Sequence, residues 1–485
     1  MKKRFKWLYG IASIGEAGLY GIIGTFALFF LTTVVGINPA IAGTITAIGA
    51  VWETVCGAVI GYVSDNTYTK YGKRKPFILA ASIPLMVFTA LFFTCIYSQS
   101  GLLPVYYGFM LVMFWTCFST FYVPYLAWGA ELTQDYDERT ALRGYAYFFS
   151  TIGMAIGLVL PNITVELLMD RGMSIETGWA VTGISCGIIC GLTIFIGAAG
   201  IKDRYEISYS AGRSENTKNK KEKKSLSTSD IINSLISNIK NMIVNYLQIL
   251  KMKTARCIIG ASICYLIAYA MFCSVRMYYF TYNMGLSSGV ITVIMLFLTF
   301  AAVAFVPLIW ALCKRFDKRT AFIIGMCICA ILMGGLGFVG IDSVFDIIVF
   351  TVAYSIGSIA YWQLVPSMIY DVCEVDELVN NKRRGGLVIS LQSLSESIAN
   401  AVGLQLVGLI LNFSGFDGSV AIQSKSALTC INMTFSVLPA VFMALSIICI
   451  IKYPVSKKVY LKVVDAIKIR AEGGTVEMEQ FNKLK

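Results

Sequence analysis

Twelve long apolar runs divide this chain, and nearly all of its charge lies in the short stretches between them. A helix that crosses a bilayer needs about 20 predominantly apolar residues, at 1.5 Å of rise per residue across about 30 Å of hydrocarbon. The runs span Leu8 to Val35, Pro39 to Tyr62, Phe77 to Tyr97, Leu103 to Gly129, Leu142 to Val165 and Trp179 to Ile201. The second six span Cys257 to Tyr282, Val290 to Leu312, Ala321 to Gly340, Ile347 to Ile369, Leu387 to Asn412 and Leu428 to Ile451. Hydrocarbon offers no water to unpaired backbone groups, so runs of this length predict helices. Only 14% of the 485 residues are charged and 57% are hydrophobic. A soluble domain carries about 25% charged residues. The expected fold class is therefore an all-α membrane protein with twelve transmembrane helices.

The cationic residues orient it. Of the 40 Lys and Arg, 37 fall at the N-terminus, in the loops after even-numbered spans, in the middle segment and in the C-terminal tail. The opposite loops hold Arg171 and Lys425, and Arg276 lies inside span seven. Such a bias predicts a multi-pass protein of the cell membrane with both termini cytoplasmic. The net charge of +12 is then matched to anionic lipid headgroups rather than to nucleic acid. Met1 to Lys6 is basic, but the apolar run after it is too long for a cleavable signal and reads as the first span.

Fourteen Cys and no His are present, and no two Cys have C-x-x-C spacing. Most Cys sit in apolar runs, as Cys186, Cys190, Cys327 and Cys329 do, and read as small buried hydrophobes. A disulfide framework, a metal centre and a histidine proton relay are not expected. The chain has no nucleophile–base pair, metal cluster or phosphate loop, so it is not expected to be an enzyme or to hold a cofactor. The partners expected are a small-molecule substrate and the lipid bilayer, for a monomeric chain.

The chain divides into a six-span bundle (1–201), a basic linker (202–256), a second six-span bundle (257–453) and a tail (454–485). In the linker, Ile231, Leu235, Ile239, Ile243 and Leu247 recur every four residues and predict an amphipathic helix on the cytoplasmic leaflet. In the tail, Val459, Val463 and Ile467 share one face. The alternative for both helices is a protein-binding face. The two bundles echo each other. Gly72-Lys73-Arg74-Lys75-Pro76-Phe77 follows span two, and Asp317-Lys318-Arg319-Thr320-Ala321-Phe322 follows span eight. Pro124, Glu131, Asp137-Glu138 and Arg143-Gly144 have counterparts in Pro366, Asp371, Asp376-Glu377 and Arg384-Gly385. Two pseudo-symmetric six-helix bundles of this kind predict a transporter with its site near mid-membrane.

Ionisable groups inside spans are costly and mark function. Glu53 lies 12 residues before Asp65, about 18 Å from that end. Burial disfavours a carboxylate's charged form, so a carboxyl there can take up and release a proton. With Ser119 it can instead ligate a hard cation. Glu16 sits at similar depth in span one, one turn from Tyr20. Glu396 lies about 16 Å into span eleven, with Gln392 one turn below on the same face. Together they offer the donors and acceptors that sugar hydroxyls need. Arg276, with Tyr279 beside it on span seven, either snorkels outward or faces the cavity, where it pairs with Glu16, Glu53 or Glu396 or clamps an anionic substrate. The structural alternative for each carboxylate is a clamp between helices. Asp65, Lys73, Arg74, Asp137, Arg139 and Arg143 in one half, and Asp371, Asp376, Arg383 and Arg384 in the other, are candidates for cytoplasmic gate salt bridges.

The stretch VWETVCGAVIGYVSDNTYTKYGKRKPF, from Val51 to Phe77, resembles the glycoside–pentoside–hexuronide:cation symporters, the melibiose-permease-like branch of the major facilitator superfamily. Gly15-Glu16-Ala17-Gly18, Val123-Pro124-Tyr125 through Arg139, and Asn381-Lys382-Arg383-Arg384-Gly385 extend the resemblance over nearly all twelve spans. It implies the major facilitator fold, alternating access, and sugar uptake driven by Na+ or H+. By this resemblance Glu53 stands at the family's span-two acid and Ser119 at its cation-site hydroxyl. Gly57 replaces a second acid. Tyr122 and Tyr147 stand where the family has a sugar-binding acid and Arg, and Ser397 replaces a functional Lys beside Glu396. The expectation is a cation-coupled sugar or glycoside symporter. The alternatives are a carrier of an anionic solute, such as a uronide or organic acid, and a lipid-handling or sensory membrane protein.

Overall fold

In the computed structural model, residues 3–67, 69, 71–96, 101–132, 136–201, 244–341, 343–380, 384–472, 480–481 and 484 are described. Among them twelve helices are long and apolar enough to cross a membrane. In chain order these are α1 (Lys3–Val34), α2 (Pro39–Asp65), α3 (Lys75–Phe92), α4 (Leu103–Gly129), α5 (Ala141–Met169) and α6 (Ile175–Ala199). They continue as α7 (Lys253–Asn283), α8 (Ser288–Arg315), α9 (Lys318–Val339), α10 (Val344–Asn380), α11 (Gly385–Phe413) and α12 (Lys425–Ile451). A thirteenth helix, α13 (Lys457–Ala471), follows in the tail.

Several helix starts are written into the sequence. Asn38 accepts a bond from the Ala40 amide ahead of Pro39, and Ser174, Asp317, Ser424 and Ser456 cap α6, α9, α12 and α13 in the same way. Each side-chain oxygen satisfies an amide that has no partner inside the helix.

Two compact units form. Among the described residues, one combines the first six spans with Tyr269–Phe300 and Asn400–Phe435; the other contains 244–268, Ala301–Ala399 and the described part of 436–485. In the first, α1 and α5 cross at glycines. A Cβ on Gly157 would stand 2.3 Å from the Gly18 carbonyl oxygen, and one on Gly153 would stand 2.2 Å from that of Ile14. Small residues let helix backbones meet where lipid supplies no hydrophobic drive. Apolar side chains face outward elsewhere, among them Ile184, Ile188 and Ile196 on α6.

The internal repeat is visible in backbone geometry. α1 ends in a π-helical turn (Phe30–Val34), and α7 ends in another (Tyr279–Asn283). Each turn leads to a glycine with positive φ, Gly36 or Gly285, a conformation that L side chains rarely adopt. The sequence motifs do not reveal this pair.

Two helices outrun their apolar spans. The tenth run ends at Ile369, but α10 continues to Asn380 and carries Asp371 and Asp376 on helix rather than loop. The helix containing α5 starts at Tyr136, so Asp137 and Glu138 also lie on helix. The apolar criterion stops where charge starts, but a paired charge need not end a helix.

Of the linker face, Ile231, Leu235, Ile239 and Ile243 lie outside the described residues, and Leu247 is exposed. In the tail, Val463 is fully buried on α13. Tyr460 hydrogen-bonds Glu374 of α10, and Arg470 donates to the Leu378 carbonyl at 3.0 Å. This face thus covers α10, where the sequence suggested a lipid surface.

Gly157→Val should lower the unfolding temperature of the detergent-purified protein, since overpacking costs about 1–3 kcal/mol. Gly24→Ala, where an added Cβ meets nothing within 4 Å, should leave it unchanged or slightly raised. Equal effects of the two would contradict the close α1–α5 crossing.

Candidate functional site

The first unit holds a polar cluster on α1, α2, α4 and α5. Glu53 is half-buried on α2. No hydrogen bond or ion pair to its carboxylate is found among the described residues. Ser119 on α4 donates to the Glu53 backbone carbonyl at 3.1 Å, not to the carboxylate. One turn from Ser119 on α4, Thr116 Oγ1 accepts from Nε1 of Trp52, the neighbour of Glu53, at 2.8 Å, so two bonds tie α2 to α4. Glu16 on α1 accepts a hydrogen bond from Ser150 of α5 and lies within the field of Arg143. Tyr122 lies within electrostatic range of Glu16, Arg143 and Glu53, and its ring stacks on Phe118 at 5.6 Å. Tyr20 meets Trp115 edge to face at 6.0 Å. Tyr147 is exposed, one turn beyond Arg143 on the same face of α5. Below the cluster, Tyr9 and Tyr125 stack at 4.4 Å, and each hydroxyl donates to the other residue's carbonyl. The structure therefore brings Glu16, Glu53 and Tyr122 together. It adds Ser150, which sequence reasoning missed, and Arg143, which the sequence suggested as a gate residue.

The second unit holds another cluster. Gln392 Nε2 donates to Ser262 of α7, to the Tyr361 hydroxyl at 3.3 Å and to Glu396 Oε1 at 3.2 Å. Ser262 and Tyr361 also share a hydrogen bond, and Tyr361 stacks on Tyr265 at 4.0 Å. A cavity of about 160 Å³ opens beside them, lined in part by Trp362, Pro366, Tyr370, Gln392 and Glu396. Complete ligand pockets measure about 300–1,000 Å³, so this cavity makes only part of one. The Gln392–Glu396 stripe is where the sequence put it. Tyr361 had a signal that was not used: it precedes Pro366 by the interval that separates Ser119 from Pro124.

Two residues named from sequence lie elsewhere. Arg276 is buried and donates to Thr25 of α1, so it does not snorkel outward. Tyr279 is buried and stacks on Phe435 at 4.3 Å, a packing role. Both lie in an interlock of the first unit at the end opposite the basic loops. There Thr32 and Tyr278 hydroxyls meet at 2.6 Å, and Asn38 Nδ2 donates to Asn412 Oδ1 at 2.6 Å.

The basic ends carry paired charges. Arg74 donates to Asp65, to Glu131 at 2.9 Å and to Ser64 at 2.7 Å. Burial weakens its hold on the proton, but the bonds to Glu131 and Asp65 outweigh this and raise its pKa. The next cation, Lys75, donates to the Ile201 carbonyl beyond α6 at 2.9 Å. In the second unit Lys318 pairs with Asp371 at 2.7 Å, and Arg319 donates to the Ile451 carbonyl at the end of α12 at 2.6 Å. The roles match, but one position out of step with the motif alignment that pairs Arg74 with Arg319. Arg384 pairs with the fully buried Asp376 and also donates to Asn245 and Gln248 ahead of α7. Lys73 has a partner as well. The side chains of Asp137 and Arg139, and the whole of Arg383, lie outside the described residues.

This chain matches the family described as MFS/sugar transport protein over residues 8–457. It belongs to that family, within the glycoside–pentoside–hexuronide:cation symporter branch of the major facilitator superfamily. It is a multi-pass membrane transporter of a small molecule, not an enzyme. It is 27% identical to the isoprimeverose transporter of Lactiplantibacillus pentosus, over 90% of this chain and 86% of that one. It is 25% identical to the glucuronide carrier protein homolog of Escherichia coli (strain K12), over 97% of each. Its fold resembles that in a structural study of proton dependent oligopeptide transporters (TM-score 0.64, 14% identity, 96% of this chain and 100% of that one). It also resembles that of the nucleoside transporter NupG (TM-score 0.59, 13% identity, 91% and 98%). The expected major facilitator fold is borne out.

Arg384→Gln should destabilise the protein by about 3–5 kcal/mol, because it strands the buried Asp376 carboxylate. Adding Asp376→Asn should recover much of that loss in a double-mutant cycle of thermal unfolding. Simple additivity would show that the pair is not coupled.

Proposed function

We propose that the protein is a secondary active symporter that carries a sugar or glycoside into the cell with a cation, Na+ or H+. The observation that carries this reading is Glu53: a carboxylate at membrane depth, beside Tyr122, without a cationic partner among the described residues. A group in that position is expensive unless it binds something. Glu16 differs in having Ser150 as a donor and Arg143 within range, which offset part of the cost of its burial. Glu53 is then the coupling group, with the Ser119 hydroxyl as a second oxygen for a hard cation. Within the first unit Tyr20, Tyr122 and Tyr147 are candidate groups for substrate; within the second, taken by itself, Gln392 and Glu396 are. Tyr and Trp rings fit the apolar faces of a pyranose, while amide and carboxylate oxygens fit its hydroxyls.

In this reading both termini are cytoplasmic in the cell membrane, and anionic headgroups meet the basic ends. The Thr32–Tyr278 and Asn38–Asn412 bonds lock the external side and must break to admit substrate. Arg74 and Lys318 with their acids, and Arg384 with Asp376, brace the cytoplasmic ends. Cation and sugar drive the exchange of states only through the difference in their affinities for them.

The test is uptake into proteoliposomes under an imposed Na+ or H+ gradient, with a panel of labelled neutral sugars and glycosides. Wild-type protein should concentrate one of them with one of the two ions. Glu53→Gln should lose gradient-driven accumulation by about tenfold or more, as expected when an interaction of roughly 1.4 kcal/mol that differs between states is removed. Undiminished accumulation by Glu53→Gln would falsify the assignment of the coupling residue.

A further inference from the structure

We propose that the cavity beside α10 and α11 reads hydrogen-bond donors on the substrate and excludes a carboxylate, so that the cargo is a neutral polyhydroxy compound and not a uronide. This rests on the transporter reading above and names its substrate class.

The argument is a count of donors and acceptors. The Gln392 amide nitrogen faces three oxygens, those of Ser262, Tyr361 and Glu396. Turning the amide over would set its carbonyl oxygen against the Glu396 carboxylate, so the orientation is fixed by its surroundings. Both amide hydrogens are therefore committed. Gln392 Oε1 is left buried without a hydrogen-bond partner, and the residue as a whole is 7% exposed. A buried acceptor in that state costs free energy until a donor reaches it.

Glu396 adds more acceptor capacity. Its polar partner among the described residues is Gln392 alone. Ser262 and Tyr361 spend one hydroxyl hydrogen on each other, and the other donors among the lining residues, on Tyr370, Ser393 and Trp362, are neutral. Among the described residues no cationic side chain lines the cavity. A substrate carboxylate would meet a carboxylate and an amide oxygen, and a like-charge contact in a desolvated site is strongly unfavourable. A sugar hydroxyl meets what it needs. Trp362 and Tyr370, 45% and 61% exposed, leave ring surface for the C–H face of a pyranose. Arg276, which donates to Thr25 and keeps its Nε unpartnered, is not among the lining residues of this cavity.

The experiment is equilibrium binding by calorimetry to the purified full chain, without any gradient. The probes are neutral methyl pentosides and hexosides and the hexuronides of matching configuration. The expected result is binding of a neutral glycoside, with its uronide at least about tenfold weaker. Glu396→Gln, which keeps the size of the side chain, should shrink that preference by raising uronide affinity relative to neutral. Trp362→Ala, at an exposed position, should weaken both alike. A uronide that binds as well as its neutral partner, or a preference unchanged in Glu396→Gln, overturns the proposal and leaves cation coupling untouched. Binding of no sugar of either kind overturns the sugar reading and this inference with it. A clear neutral preference together with an uncoupled Glu53 would sink only the coupling assignment.

Discussion

A polar group carried into hydrocarbon must be paired there, neutralised, or left waiting for something that arrives. The organisation of this protein can be followed through that constraint. Asp376 is paired, fully buried against Arg384. Asp65 and Glu131 are paired through Arg74, and Asp371 through Lys318. Glu16 has Ser150 and the field of Arg143. Arg276 has the Thr25 hydroxyl but keeps its buried Nε unpartnered. The Glu53 carboxylate and the Gln392 carbonyl oxygen have no compensation among the described residues. One lies in each compact unit, on helices that other bonds already hold in place.

The same constraint organises the helix ends. Each half uses two successive cations where an odd-numbered helix begins. The first pairs with acids at the ends of the even-numbered helices, and the second binds the carbonyls that close the sixth or twelfth span. Arg74 and Lys75 do this in one half, Lys318 and Arg319 in the other. The second half adds more. Tyr460 and Arg470 of α13 also bind the charged end of α10, so the tail is part of the brace. At the opposite end hydroxyls and amides form the interlock together with the Arg276 guanidinium, and the neutral bonds can exchange with water at little net cost.

Much of this is legible in the sequence because lipid is so selective a solvent. Apolar length alone gives the twelve helices, and the loop motifs give the two halves. Span four was even bounded as found, Leu103 to Gly129. The extension of α10 was hidden because Asp371 and Asp376 read as loop charge until their partners are known. The equivalence of Arg74 with Lys318 is hidden because α9 begins two positions earlier in the motif, at Lys318, than α3 does at Lys75, which the motif aligns with Thr320. Depth picked out Glu16, Glu53 and Glu396 but could not tell a compensated carboxylate from an uncompensated one, since that depends on Ser150 and Arg143 across a helix crossing. Arg276 was placed by charge alone; the structure buries it on α7, bonded to a threonine hydroxyl on α1 and with Nε unpartnered. Tyr279 looked like a substrate contact and is spent on Phe435.

The central claim is that the Glu53 carboxylate takes a cation across with the solute, and its most direct measurement is charge movement on a solid-supported membrane bearing reconstituted protein. A jump in the concentration of the transported neutral sugar should produce a transient current of positive sign in the direction of sugar flow. That current should be absent in Glu53→Gln even though the sugar still binds. A current of undiminished size in the variant, or none in the wild-type protein while sugar accumulates against its gradient, would contradict the account.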